Sequence, residues 1–221
     1  MLAGTLPRPS MTTPIVISIE GNIGAGKSTL LEALRVAMPD AEVVIEPVGE
    51  WLSLKTADGK SLLELFYEDK KRWAYTFQNC AILTRLRLLK QVLQSTKKAV
   101  IITERSVLTD RYVFAEMLRD SGDLNDLEWQ LYLNWYETFA SELPMSGIVY
   151  LTTDVPTSGS RIVKRGRHGE ENIPVAYLKA LEVQHHVWLS STPLPVLFVS
   201  TEDTETAIGA IRDFARLIQR P

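Results

Sequence analysis

Five short runs of aliphatic residues punctuate the chain: IVISI (15–19), AEVVI (41–45), AVIIT (99–103), GIVYL (147–151) and PVLFV (195–199). Each is apolar at odd and even positions alike, the pattern of a strand covered on both faces. Helical periodicity fills the intervals. Residues 28–38 carry Leu30, Leu31, Leu34 and Met38 on one face, and 73–93 carry Phe77, Ala81, Leu88 and Val92. The stretch 126–143 carries Trp129, Leu133, Tyr136 and Phe139. Residues 174–189 begin with a proline, which suits a helix N-terminus, and 204–218 close the pattern. Strands alternating with helices predict an α/β fold, a five-stranded parallel sheet flanked by helices. No repeat, low-complexity tract or linker interrupts it. Residues 1–14, with three prolines and no periodicity, read as a disordered arm, and 15–221 as a single domain.

Composition narrows the partners. The 221 residues are 45% hydrophobic and 23% charged, ordinary for a chain with a proper core. A formal net charge of −3 gives no basic field for nucleic acid or an anionic membrane. No apolar run reaches the roughly 18 residues that span a bilayer. One cysteine, Cys80, leaves no internal disulfide and fits a reducing compartment, so a cytoplasmic setting is expected, with a mitochondrial one also compatible.

The first strand runs into Gly21-Asn22-Ile23-Gly24-Ala25-Gly26-Lys27-Ser28-Thr29, which contains the pattern G-x-x-x-x-G-K-S. Glycines let the backbone wrap a phosphate with its N–H groups, and the following helix adds its positive end. Lys27 would reach the terminal phosphates and Ser28 would ligate Mg²⁺. This loop predicts a bound nucleoside triphosphate, ATP or GTP, and nothing about what receives the phosphate.

Open α/β sheets place chemistry at the carboxyl ends of their strands. The second strand ends in VVIEPVGEW, offering Glu46 and Trp51, and the third in VIITERSVLTDRYVF, offering Glu104, Arg105 and Asp110. Glu104 could hold Mg²⁺ through water. Phosphoryl transfer to an alcohol wants a base, which Glu46 could supply; a solvated helix-capping acid is the other reading. On the long helix Phe77, Gln78, Ala81 and Arg85 share roughly one face. Packing explains Phe77 and Ala81 but not Gln78 and Arg85, and an amide can read a nucleobase edge as donor and acceptor together. The stretch SRIVKRGRHGEENIP sets Arg161, Lys164, Arg165 and Arg167 ahead of Glu170–Glu171. It reads as an arginine-rich lid that closes over a polyphosphate and excludes water.

Five segments in order, GNIGAGKST, EPV with Trp51, YTFQNCAILTR, ERSVLTDRYVF and KRGRHGEENIPVAYL, resemble the deoxynucleoside kinase family, across about residues 15–200. The resemblance implies a P-loop kinase, commonly a homodimer, with ATP or another nucleoside triphosphate and Mg²⁺. It implies Glu46 as the base for a 5′-hydroxyl, Arg105 holding that base and the transferred phosphoryl group, and Ser28 with Glu104 managing Mg²⁺. Gln78 would pair with the nucleobase edge, Phe77 and Phe114 would sandwich the ring, and Trp51 would close it. Tyr67 and Glu170 would hold the 3′-hydroxyl; Arg161, Arg165 and Arg167 would be the lid arginines. Residues near Glu202 and Asp203 would meet the donor base.

In this family three positions near the base separate branches, here Ala81, Arg85 and Asp110. An arginine–aspartate pair resembles the deoxycytidine and purine branch. An aspartate accepts from an exocyclic amino group and is penalised by roughly 1–3 kcal/mol opposite thymine O4. Departures are His168-Gly169 in the lid, the Ser158-Gly159-Ser160 run that should loosen the helix before it, and a short interval from Trp51 to Tyr67. A thymidylate-kinase-like enzyme would need an arginine beside the EP pair, where Ile45 stands. A nucleotide-driven switch would not need the set Gln78, Arg85 and Asp110. His185-His186 has no ligand-spaced partners and reads as packing or surface.

Overall fold

The computed structural model describes residues 13–167, 169–170 and 173–219. The expected disordered arm lies outside these apart from Thr13 and Pro14, and so do His168 and Glu171. Five strands, β1 (Ile15–Glu20), β2 (Ala41–Val44), β3 (Val100–Glu104), β4 (Gly147–Leu151) and β5 (Val196–Val199), form one parallel sheet in the order β2-β3-β1-β4-β5. The five strands and their parallel pairing are those the apolar runs predict.

Burial departs from that expectation at the two rims. β1, β3 and β4 are buried almost throughout, but β2 and β5 are edge strands, and Phe198 on β5 is exposed. An edge strand has a neighbour on one side only, so apolar runs there keep partial access to water.

The period of two distributes the central strands between two layers. Ile17, Ile19, Val149 and Leu151 join a core with α1 (Lys27–Ala37) and α10 (Thr204–Ile218). Ile148 and Tyr150 point the other way, into a cluster with α8 (Val155–Arg165) and α9 (Val175–Ser191). A further cluster joins α2 (Val48–Ser53), α3 (Leu62–Glu68), α4 (Lys70–Ser95) and α7 (Asp126–Phe139). At 26 residues α4 is about 39 Å long, enough to carry side chains past the end of the sheet. Among the described residues no helix is long and apolar enough to cross a membrane.

Sequence periodicity misses the short elements. α2, α3 and the helical stretch after β3 are too brief to show a repeat. That stretch runs through α5 (Val107–Thr109), a π-helical turn over Asp110–Ala115, and α6 (Glu116–Asp120). One readable signal did precede α3: Ser61 and Glu64 form a capping box, each side chain bonded to the other's backbone N–H.

Candidate active site

β1 ends at the centre of the sheet, and the phosphate loop follows it. Register sets Ile19 beside Glu104, so the loop and the end of β3 are neighbours. Gly26, at φ 97°, precedes α1 with no side-chain cap, which leaves the helix's first N–H groups facing outward. Gly24 answers to packing as well: a Cβ there would lie 2.3 Å from the Ser158 carbonyl oxygen. That contact holds α8 against the loop, and the serine–glycine run expected to loosen α8 lies inside an unbroken helix.

A cavity of about 740 Å³ opens above these strand ends. Ile23, Gly24, Gly26, Lys27, Ser28 and Thr29 line it. The side chains of the predicted loop residues Asn22 and Ala25 turn to the interior, which leaves their backbone to the loop. The Asn22 amide donates to the Leu178 carbonyl at 2.8 Å, and the Ala25 methyl sits in the core. Gly21, at φ 143°, packs against Leu151. Lys27 is buried and donates to the carbonyls of Asn22 (2.7 Å) and Gly21 (3.2 Å).

Burial, with Arg105 adding repulsion, brings the Lys27 ammonium down to about 7, although Glu104, Glu46 and Glu20 oppose the shift. The unfolded chain keeps this proton up to its ordinary value, so between these limits Lys27 makes stability rise with pH. A triphosphate would draw the proton back. At about pH 8 we expect calorimetric titration of ATP, in buffers of different ionisation enthalpy, to show uptake approaching one proton per ATP bound. No buffer dependence would mean that Lys27 is already charged.

The Ser28 hydroxyl donates to Glu104 Oε1 at 2.8 Å, and the Glu46 backbone N–H reaches Glu104 Oε2 at 3.4 Å. A hydroxyl and a carboxylate side by side fit Mg²⁺, which takes one or two protein oxygens beside water and phosphate. Among the described residues no group of three or more acids, histidines or cysteines forms a fuller cage.

Deeper in the cavity one guanidinium serves two acids. Arg85 bonds Glu46 through Nη2 and Asp110 through Nη1, while Arg105 Nε stands 3.5 Å from the same Glu46 oxygen. The sequence expectation had Arg105 holding Glu46; here Arg85 makes the direct bond. Burial alone would raise Glu46, but Arg85, Arg105 and Lys27 outweigh it and hold the carboxyl below its ordinary value. Asp110 is pushed up to about 6, since burial and the nearby Glu46 exceed what Arg85 returns. Arg105 has φ 59°, a left-handed backbone that costs a non-glycine residue about 1–3 kcal/mol and clusters at functional sites.

Aromatic rings close the pocket. Phe77 stacks on Phe66 (4.5 Å between centroids) and meets Trp51 edge-on (5.4 Å). The Trp51 indole donates to Thr84 at 3.0 Å, and Arg85 lies over its ring. Phe114 faces Arg105, and the π turn puts Asp110 and Phe114 on the cavity wall together. Gln78 Oε1 and Asp110 Oδ2 are buried with no hydrogen-bond partner among the described residues.

Tyr67 and Glu170 line the same cavity. Glu170 takes bonds from Arg165 and, at 3.0 Å, from Arg167. Arg161 and Arg165 lie on α8, with Arg167 beyond its end, so the first part of the expected lid, through Arg165, is helix. Arg161 donates to the Ala25 carbonyl at 3.0 Å. Thr201 and Thr204 reach the cavity, whereas Asp203 is spent capping α10. Phe66 and Leu63 escaped the sequence reading because α3 did, and Thr84, on α4, because it acts only through the Trp51 indole. His185 is fully buried beside Tyr150, a packing role as expected.

A family model described as deoxynucleoside kinase matches residues 17–219. The chain belongs to the deoxynucleoside kinase family. Deoxycytidine kinase 2 of Gallus gallus is 39% identical over 207 residues, covering 85% of this chain and 78% of that protein. Deoxycytidine kinase of Homo sapiens is 39% identical over 202 residues, 82% of this chain and 78% of that protein. Mitochondrial deoxyguanosine kinase of Xenopus laevis is 32% identical over 200 residues, 82% and 76% respectively. The chain is therefore a phosphotransferase, and its family's reaction is the phosphorylation of nucleosides. A kinase of this family needs a donor site and an acceptor site in contact. The phosphate loop and the aromatic pocket open into the same cavity.

Proposed function

We propose that this kinase transfers the γ-phosphoryl group of ATP to the 5′-hydroxyl of a deoxynucleoside, taking deoxycytidine or a deoxypurine in preference to thymidine. The observation that carries the preference is the pair of buried acceptors, Gln78 Oε1 and Asp110 Oδ2, without partners on the wall of an aromatic pocket. Buried acceptors call for donors. The exocyclic amino group of cytosine or adenine offers two N–H bonds. Guanine offers its ring N–H and amino group. Thymine presents O4, an acceptor; Gln78 could flip its amide to suit it, but the Asp110 carboxylate has no donor to turn. The relatives named for deoxycytidine and deoxyguanosine support the same branch.

In this reading Phe77 and Phe114 hold the base between them, Trp51 closes its edge, and Ala81 leaves room beside it. Tyr67 and Glu170 take the 3′-hydroxyl. Glu46 accepts the proton of the 5′-hydroxyl as its oxygen bonds the γ-phosphorus and the bond to the β–γ bridging oxygen breaks, releasing ADP. Arg105 steadies Glu46 and the transferred group. The loop 21–29, with Lys27, holds the phosphates of ATP, and Arg161, Arg165 and Arg167 offset the charge in transit. Ser28 and Glu104 would hold Mg²⁺, which neutralises phosphate charge. The deciding assay supplies each of the four deoxynucleosides and dTMP with Mg·ATP at equal low concentration. Monophosphate from deoxycytidine or a deoxypurine, with little from thymidine, is expected. Turnover of dTMP alone would replace the reading with a nucleotide kinase.

We further infer a homodimer through α7. Leu127, Leu131 and Trp135 recur every four residues along this helix and stay exposed, Leu127 at 72% and Trp135 at 40%, with Phe139 continuing the stripe. On the same helix Tyr136 is buried and Trp129 is covered by Arg111 and Arg119. A Trp135→Glu variant should sediment as a monomer at concentrations where the parent is dimeric; an unchanged distribution would place the interface elsewhere.

A further inference from the structure

Arg105 is held in an unfavourable backbone conformation by its neighbours. Its amide N–H donates to the Ile19 carbonyl at 3.0 Å, which ties it to β1. On one side Glu104 is engaged by Ser28. On the other, Ser106 donates its hydroxyl to Glu20 Oε1 at 2.8 Å while accepting the Thr109 N–H at 3.3 Å. Glu20 is the last residue of β1 and fully buried, and Ser106 and Thr109 are buried with it. Glu20 Oε2 has no partner among the described residues. Burying a carboxylate is costly, and a neutral residue would serve packing better. Its charge acts on Lys27, and its hydrogen bond fixes the residue that follows Arg105.

We propose that Glu20 and Ser106 form a positioning pair for Arg105: the buried carboxylate holds the serine hydroxyl, which keeps the left-handed turn that aims the Arg105 guanidinium at Glu46 and the transferred phosphoryl group. The same bond seats α5, on which the π turn bearing Asp110 is built, so the end of β1 registers donor-side and acceptor-side groups against each other. Neither residue lines the cavity, so neither touches substrate. The inference rests on the reading of Arg105 as a phosphoryl-contacting group.

The test measures kcat, deoxynucleoside affinity without ATP, and thermal midpoint for Glu20→Gln, Ser106→Ala, Ser106→Thr, the Glu20→Gln/Ser106→Ala double variant and Arg105→Ala. Outer partners of this kind are worth roughly 10–100-fold, so each of the first two should lose that much in kcat while affinity changes less than about threefold. The double variant should be no slower than the worse single one, because the two act as a unit, and Ser106→Thr should restore most of the rate. Lower thermal midpoints with kcat within about twofold of the parent would make the pair merely structural and overturn the proposal. Losses that multiply in the double variant would overturn the pairing. If Glu20→Gln does not fold, Ser106→Ala against Ser106→Thr decides alone. If Arg105→Ala keeps its kcat, the reading of Arg105 fails, and the pair with it. If Arg105→Ala is slow and the pair variants are not, the positioning claim alone fails.

Discussion

Glu46→Gln should slow phosphoryl transfer by roughly 10²–10⁴-fold while leaving deoxynucleoside binding within a few-fold of the parent. The glutamine fills the same volume, and its amide oxygen can still accept from Arg85, so the pocket stays assembled. What disappears, on the proposed reading, is the charge that would receive the 5′-hydroxyl proton. Glu46 is well suited to be ionised and poorly suited to be a strong base, since Arg85, Arg105 and Lys27 hold its carboxyl below the ordinary value. This need not impede the reaction. A loose phosphoryl transition state asks little of the nucleophile until bonding is well advanced, so an ionised, well-aimed acceptor matters more than a basic one. The check is single-turnover kinetics on Mg·ATP with saturating deoxycytidine. A loss smaller than about tenfold would remove Glu46 from the chemistry and leave it as a structural partner of Arg85.

The second large effect is on specificity. Asp110→Asn keeps the size of the side chain and a carbonyl oxygen for Arg85, but turns an acceptor pair into one acceptor and one donor. With the oxygen claimed by Arg85, the amide N–H₂ faces the base. It opposes the amino group of cytosine and suits O4 of thymine. Each such mismatch or match is worth about 1–3 kcal/mol, so the ratio of kcat/KM for thymidine over deoxycytidine should rise roughly 10–100-fold or more. Because Arg85 bridges Asp110 and Glu46, part of the change should appear in kcat. Competition between the two nucleosides at low concentration reads the ratio directly. An unchanged ratio would mean that the Asp110 carboxylate does not face the base.

Much of this site was legible because its parts are local. The loop from Gly21 to Thr29 is one contiguous signature, and Glu46, Glu104, Arg105 and Asp110 follow strand ends by rule. Gln78 and Arg85 stood out as polar residues on a helix face that packing did not need. Phe66 and Thr84 did not stand out, since Phe66 rides on a seven-residue helix and Thr84 acts through the indole of Trp51. Glu20 went unremarked because, in sequence, it is one more acid before a glycine.

The sequence by itself determined the parallel sheet, the phosphate loop and the family, for each follows from periodicity or from a motif read along the chain. Only the tertiary structure decided which charges meet. Arg85 lies 39 residues from Glu46 and 25 from Asp110, yet one guanidinium holds both. Glu20 and Ser106 are 86 residues apart and share one hydrogen bond. Those pairings depend on strand order and on where a long helix crosses the sheet end, quantities that no local pattern encodes. Burial then strengthens the charges that meet there, and that sets what each acid and base of the site can do.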